Sequence, residues 1–398
     1  MQTAATGPAL RALVVLGMIA PAVLTGLFIT ATTFPETTMV PWRPRMVDLE
    51  VYRLAGSAVL AGADPYDLPN DLPFLYPPFA ALLAAPLSLL PVMLVEVAWG
   101  LANTAAVLAI MYRFGINGWR LALGAPGVIY FVEPVQQSFA FGQVGVFLVA
   151  LVVLDLVPGP RWLDVVGPRR IGPGGLTGLA TAIKLTPGLF SVHLWLVGRR
   201  RAAIVSVVSF LLVTLAAAAV VPSLSLGFWG RLVSGDTGLG NSIVYASNQS
   251  IMGTWLRLFG LGSGSKLAAL AVSAAVAVLG VVAAVRWHRR GEPVYALCLV
   301  GLASLLASPV SWSHHFVWVL PMALALITGP PLLWLRLVTL VWVGWVAAAP
   351  FKRLPNGADI ELHYPWTRNV LDSAGTALGV LVILAATVAT LGLAQRSR

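Results

Sequence analysis

The chain has 398 residues, of which 58% are hydrophobic and only 10% charged, and its mean hydropathy is +0.87. A soluble domain carries about a quarter charged residues, so this composition excludes one and requires an integral membrane protein. The formal net charge is +10, but the arginines stand in short loops between apolar runs, as Arg169-Arg170, Arg199-Arg200-Arg201 and Arg286 with Arg289-Arg290. That distribution sets orientation and meets anionic lipid; nucleic-acid binding needs a basic patch and is not expected.

The first apolar run covers residues 10–30. It lacks a strongly basic start and many spans follow it, so it reads as a retained first helix rather than a signal peptide. Residues 46–91 then collect Asp48, Glu50, Asp64, Asp67 and Asp71 in a chain that otherwise avoids charge. Carboxylates gathered at one place in a membrane protein serve chemistry or ion handling. Val47, Val51, Leu54, Ala55, Ala58 and Val59 have helical spacing and predict an amphipathic juxtamembrane helix. Asp48 stands near its start, where a carboxylate can cap free amides and equally serve as a general base at a cavity mouth. Glu50 lies about 200° around the helix from Asp48, so the two form no acid–base pair. Gly62-Ala63-Asp64-Pro65-Tyr66 reads as a turn, Tyr76 before Pro77 as extended, and Pro78 as the start of a short helix to Leu83. The tyrosines of this loop either pack against the spans or line a sugar site.

Further apolar runs cover residues 92–111, 121–131, 144–157 and 175–197. The last holds Lys184 and Pro187 and is flanked by arginines on both sides. Its roughly 23 residues cannot cross a bilayer twice at about 20 per crossing, so two short helices broken at Lys184-Leu185-Thr186-Pro187 are expected, their tip buried in protein. Runs at 202–221, 267–285, 294–306, 316–327, 332–349 and 371–393 follow, with a polar loop at 222–265. Cys298 is the only cysteine, which excludes a disulfide framework and a thiolate zinc site. The expected architecture is a single all-α domain over residues 1–398, with roughly 12 transmembrane helices and both termini cytoplasmic. The basic loops then face the cytoplasm. The loops at 31–76, 133–143, 222–265, 308–315 and 350–370 face outward, and they hold most of the remaining polar residues.

Lys184 inside an apolar segment marks a pathway or an anion, and phosphate suits a compact ammonium. His314 and His315 end the run Ser308-Pro309-Val310-Ser311-Trp312-Ser313. Adjacent histidines on a helix point about 100° apart, so a hydrogen bond to phosphate is favoured over joint chelation of a metal. Asn248-Gln249-Ser250 and Arg257 form another polar cluster. No divalent-metal set stands out and no cofactor is expected.

Together these pieces resemble glycosyltransferase family 87 of the GT-C superfamily. The residues that carry the resemblance are Asp48-Leu49-Glu50-Val51-Tyr52, Gly62-x-Asp64-Pro65-Tyr66, Tyr76-Pro77-Pro78, Lys184-x-x-Pro187, Asn248-Gln249-Ser250 and Ser308-Pro309 to His314-His315. The resemblance implies a GT-C-type polytopic bundle with extracytoplasmic loops, in the plasma membrane. It also implies an inverting transferase that moves mannose from a polyprenyl monophosphate carrier to a phosphatidylinositol mannoside or lipomannan acceptor, making an α-1,2 link. Asp48 would be the base, and Lys184, His315, His314 and Arg257 the donor-phosphate groups. Tyr52, Tyr66, Tyr76, Asn248, Gln249 and Trp312 would bind substrate. The expected partners are membrane lipids, the lipid-linked donor and a glycolipid acceptor, with the chain acting as a monomer. A flippase for lipid-linked sugars, and a GT-C transferase of another sugar, are the alternatives.

Overall fold

Apolar backbone in lipid must satisfy its own hydrogen bonds, and helices are how this chain does so. The computed structural model describes residues 8–31, 46–68, 72–159, 173–234 and 243–395. Asp71, Arg161, Arg169, Arg170, Arg396 and Arg398 lie outside the described residues. Among those described there is no strand, only one isolated bridge between Asn248 and Trp312.

Two kinds of helix build the bundle. Six stretches are long and apolar enough to cross a membrane: 12–31 within α1 (Pro8–Ala31), α4 (Val92–Arg113), α10 (Arg200–Val220), α13 (Ser263–Arg289), Leu333–Arg353 including α16 (Leu333–Ala348), and Trp366–Leu391 within α17 (Trp366–Gln395). The others are shorter. α2 (Val47–Leu60), α3 (Pro78–Ser88), α5 (Gly118–Phe131) and α6 (Glu133–Phe141) come early, then α7 (Gly145–Leu156), α8 (Gly175–Ile183), α9 (Gly188–Leu196) and α11 (Pro222–Ser234). α12 (Ile251–Phe259), α14 (Pro293–Ala307) and α15 (Val319–Ala325) complete the set. Six of the expected dozen spans are thus long enough to cross by length alone, among the described residues. A 12-residue helix such as α7 rises about 18 Å, short of the ~30 Å hydrocarbon core. Short apolar helices of this kind cross only inside a bundle, where protein shields their ends. Every residue of α14 from Tyr295 to Leu306 is buried, so protein rather than lipid surrounds it.

The chain breaks at Lys184–Pro187, as the flanking arginines required. α8 and α9 both have their outer ends beside the basic end of the bundle. A Cβ on Gly174 would lie 2.1 Å from the Ala202 carbonyl oxygen, one on Gly178 would lie 2.2 Å from that of Ser206, and Arg289 donates to the Leu196 carbonyl. Asp155 on α7 pins the start of α8, accepting from the backbone N–H groups of Gly174 and Thr177 and from the Thr177 hydroxyl at 2.7–3.0 Å. It thus satisfies helix-start amides that would otherwise lack partners. Nine residues of α8 rise about 13 Å, which carries Lys184 into the interior.

α2 differs in detail from the expected amphipathic helix. Met46, not Asp48, occupies the entry position, with a left-handed φ of 48°, and its N–H bonds the Ala140 carbonyl at 2.8 Å. The buried side is Leu49, Val51, Tyr52, Ala55 and Gly56, while Leu54, Ala58 and Val59 are half-exposed. Two close approaches turn the helix this way. Gly56 lies against the Ala84–Ala85 backbone of α3, and Leu49 against Gly142 at the end of α6. α3 begins at Pro78 and continues past Leu83 to Ser88, with Pro86 accommodated inside it.

Candidate active site

The α8–α9 break, the end of α14 and the 3-10 turn Ser313–Trp318 meet α7 around a small cavity. Its walls are mainly apolar, from Leu148, Val149, Val152, Phe190, Leu305 and Trp318. Lys184, Thr186, Ser304 and His315 supply its polar groups. Lys184 Nζ lies 2.8 Å from His315 Nε2 and 5.1 Å from the centre of the Tyr76 ring.

The backbone decides which His315 nitrogen carries the proton. The Trp312 N–H donates to His315 Nδ1 at 3.2 Å, so the neutral ring bears its hydrogen on Nε2. The His315 Nε2–H therefore faces Lys184 Nζ at 2.8 Å and donates to it when the lysine is a neutral amine, a form that burial favours by lowering Lys184 to about 7. Once Lys184 is protonated both groups are donors, and an anionic oxygen such as a phosphate carries can accept from the two together.

The loop that holds His315 is sewn to the segment before α12. Asn248 Oδ1 accepts from the Ser311 N–H at 2.9 Å, and the Gln249 N–H donates to the Ser311 carbonyl at 2.9 Å. Asn248 Nδ2 donates to the Ile243 and Pro309 carbonyls. Ser250 Oγ donates to the Pro309 carbonyl and caps α12 by accepting from the Gly253 N–H. Trp312 packs edge-on to Tyr245. The Asn248 side chain and the Gln249 and Trp312 backbones thus brace the His315 turn, while the Gln249 amide nitrogen donates to Ala246 and Asp372 and its oxygen is without a hydrogen-bond partner among the described residues. His314 is buried, with its ring edge-on to Phe141 and His315, and it does not line the cavity.

Arg257 stands apart. Its Nε pairs with Asp372 on α17, one terminal nitrogen donates to the Tyr245 and Asn248 carbonyls, and the other to the Thr254 hydroxyl. The guanidinium is fully buried and does not line the Lys184 cavity. A second buried pair that sequence reading did not flag joins Lys352 to Glu133 at 2.5 Å, with Ser313 donating to the same oxygen at 2.8 Å. It braces the turn carrying His315 from the other side.

Asp48 lies on the Lys184 side of α2 and is half-buried. Desolvation raises its carboxyl to about 6, against the opposing pull of a hydrogen bond from Gln143 and the charge of Lys184. Tyr52 and Tyr76 hydroxyls lie 3.0 Å apart and both reach Gln143 Oε1, at 2.9 and 3.2 Å. Tyr66 donates to the Tyr76 carbonyl, stacks on Phe228 of α11 and lies under Arg231. Asp64 closes its turn by accepting from the Tyr66 N–H, and Glu50 is exposed and paired with Arg53 at 2.8 Å. Among the described carboxylates of the acidic stretch, Asp48 is the one whose charge interacts with the lysine. Gln143 was not singled out by sequence reasoning; its only signal was an amide directly after Phe141-Gly142 at a helix end.

Residues 74–309 match the model of glycosyltransferase family 87. The chain belongs to that family. It is 33% identical over 89% of its length, and 82% of the relative's, to a polyprenol-phosphate-mannose-dependent alpha-(1-2)-phosphatidylinositol pentamannoside mannosyltransferase of Mycobacterium tuberculosis. A Mycolicibacterium smegmatis protein, a polyprenol-phosphate-mannose-dependent alpha-(1-2)-phosphatidylinositol mannoside mannosyltransferase, is 34% identical over 73% of this chain and 72% of its own. A protein of that same description from Mycobacterium tuberculosis is 31% identical over 90% of each chain. No solved structure shows significant similarity. This family 87 chain is a membrane-embedded glycosyltransferase, and membership in the family decides for transfer over transport of a lipid-linked sugar.

Proposed function

We propose that this family 87 protein is an inverting α-1,2-mannosyltransferase that takes mannose from polyprenyl monophosphate mannose and gives it to a phosphatidylinositol mannoside or a related lipomannan acceptor. The observation that carries the reading is the apolar cavity ending in Lys184 Nζ and His315 Nε2, which become a pair of N–H donors when the lysine is charged, with the Asp48 carboxylate within electrostatic reach of Lys184. An apolar slot closed by cationic donors suits a phosphate on a hydrocarbon chain better than a nucleotide sugar. The names of the relatives supply the sugar, the linkage and the acceptor.

In the proposed step Asp48 removes the proton from an acceptor hydroxyl as its oxygen attacks the anomeric carbon. The new C–O bond forms while the bond to the phosphate oxygen breaks, and the electron pair leaves with the polyprenyl phosphate. Lys184 and His315 stabilise the charge that develops on that phosphate. Phosphate is a competent leaving group and needs no acid, so Asp48 alone handles the proton. Back-side attack inverts the anomeric centre. General-base help of this kind contributes roughly a hundred- to ten-thousandfold.

The working face is proposed to be extracytoplasmic and the membrane the plasma membrane, with the arginine-bearing ends of α9, α10 and α13 in the cytoplasm. α14 runs from that basic end toward the His315 turn, which supports the two lying on opposite sides. Nucleotide sugars are cytoplasmic, so a site on the outer side needs a donor already carried across on lipid. No metal or cofactor is part of this scheme. Purified protein in detergent, given polyprenyl phosphate [14C]mannose and phosphatidylinositol mannoside, is expected to yield an elongated radiolabelled glycolipid. Transfer from GDP-mannose but not from the lipid carrier would overturn the reading.

A further inference from the structure

Gln143 is 3% exposed, and a buried amide must place both its oxygen and its nitrogen. Its backbone is held at the end of α6: Gly142 turns through φ 70°, and the Gln143 N–H bonds the Ser138 carbonyl at 2.9 Å. Its oxygen faces two hydroxyls, Tyr52 at 2.9 Å and Tyr76 at 3.2 Å. The nitrogen is the amide atom left for Asp48, and Gln143 is the hydrogen-bonding side chain that pulls the Asp48 carboxyl down against desolvation. The flipped amide would set an uncharged oxygen against the Asp48 carboxylate, with no proton between them.

We propose that Gln143 is the positioning residue for Asp48, its amide locked in one orientation by the paired hydroxyls of Tyr52 and Tyr76. The lock comes from three separate pieces of chain. Tyr52 stands one turn after Asp48 on α2, Tyr76 in the loop before α3, and Gln143 between α6 and α7. The two rings meet edge to face at 5.3 Å, so each hydroxyl limits the other's movement. Asp48 therefore receives a fixed N–H on one side and the Lys184 charge on the other, which leaves its remaining lone pairs for an acceptor hydroxyl. The hydroxyls of Tyr52 and Tyr76 are the other titratable groups facing Asp48; His315 stands behind Lys184, and Glu50 points outward to Arg53. Two tyrosines assigned to the substrate on sequence grounds thereby gain a duty toward the base.

This inference rests on Asp48 being the base, and the test separates the two. The pH profile of kcat/KM is measured for wild type, Asp48→Asn, Gln143→Leu, Tyr52→Phe, Tyr76→Phe and the double Tyr variant. Loss of the amide donor is expected to move the acid limb of Gln143→Leu to higher pH by about one unit and to lower kcat more than donor affinity. Each single Tyr variant keeps one donor on Oε1 and is expected to keep the wild-type limb. The double variant, with the amide free to turn, is expected to shift it. Near-normal turnover by Asp48→Asn sinks the base assignment itself. An inactive Asp48→Asn combined with an unmoved limb in Gln143→Leu overturns the positioning role alone. Should Gln143→Leu fail to fold, the double Tyr variant decides between the outcomes, and an unmoved limb there overturns the proposal equally.

Discussion

Gly142 approaches Leu49 so closely that a Cβ at position 142 would lie 2.5 Å from the Leu49 Cβ. The same glycine holds φ 70°, a conformation that side chains resist. This contact sets the start of α2, and hence Asp48, on the end of α6. Gly142→Ala combines overpacking with backbone strain and is expected to destabilise by roughly 2–4 kcal/mol. Thermal unfolding in detergent should show a Tm lower by several degrees, with turnover falling further than that loss explains because Asp48 is displaced.

Asp48 gives the pH dependence a definite sign. As a base with a carboxyl near 6, it should make kcat/KM fall about tenfold per unit below that pH and level off above it. For stability the sense is opposite. A carboxyl raised in the folded protein contributes stability that is present below the ordinary value of 3.8 and lost as pH passes about 6. At neutral pH its ionised, desolvated form is a burden. Asp48→Asn is therefore expected to abolish transfer while leaving Tm at pH 7.5 equal to or above wild type, as differential scanning fluorimetry would show.

Lys184 and His315 should act on the donor. Lys184→Ala and His315→Ala each remove one charge-assisted or N–H donor from the proposed phosphate position. Each is expected to weaken polyprenyl phosphate mannose binding by roughly 10- to 100-fold with little change for acceptor. His314→Ala should leave donor affinity within about threefold, since its ring packs on Phe141 outside the cavity. Titration with the donor lipid distinguishes the three.

Arg257 should behave as a structural cation. Its pairing with Asp372 is wholly buried, and breaking one side of such a pair costs about 3–5 kcal/mol. Arg257→Met alone is expected to unfold or strongly destabilise the protein, and joint replacement of Arg257 and Asp372 by Met and Leu to restore much of the loss. A double-mutant cycle on Tm would show that coupling. A donor-binding role predicts instead a stable Arg257→Met with weakened donor affinity.

Much of this arrangement was legible in the sequence because lipid makes polar residues conspicuous. Lys184 and Pro187 interrupt an apolar run flanked by arginines on both sides, and the break follows from length alone. Asp48 stood out for a similar reason. What surrounds each span was not legible, because hydropathy cannot tell a helix wrapped in lipid from one wrapped in protein, and α14 is of the second kind. The fate of Arg257 was hidden because its partner, Asp372, sits in the last helix. The bracing by Asn248 was hidden because a side chain that holds a loop is written in the same residue as one that binds a sugar. Gln143 was hidden most completely: nothing in its local sequence says that two distant tyrosines will aim it at Asp48.

In the proposed step Asp48 is the base of transfer from a lipid-phosphate donor held by Lys184 and His315. Single-turnover transfer of [14C]mannose from polyprenyl phosphate mannose, measured on wild type and Asp48→Asn alongside donor binding, tests it most directly. Asp48→Asn is expected to bind the donor normally and to transfer at least about a hundredfold more slowly. Transfer by Asp48→Asn within about threefold of wild type would contradict the claim.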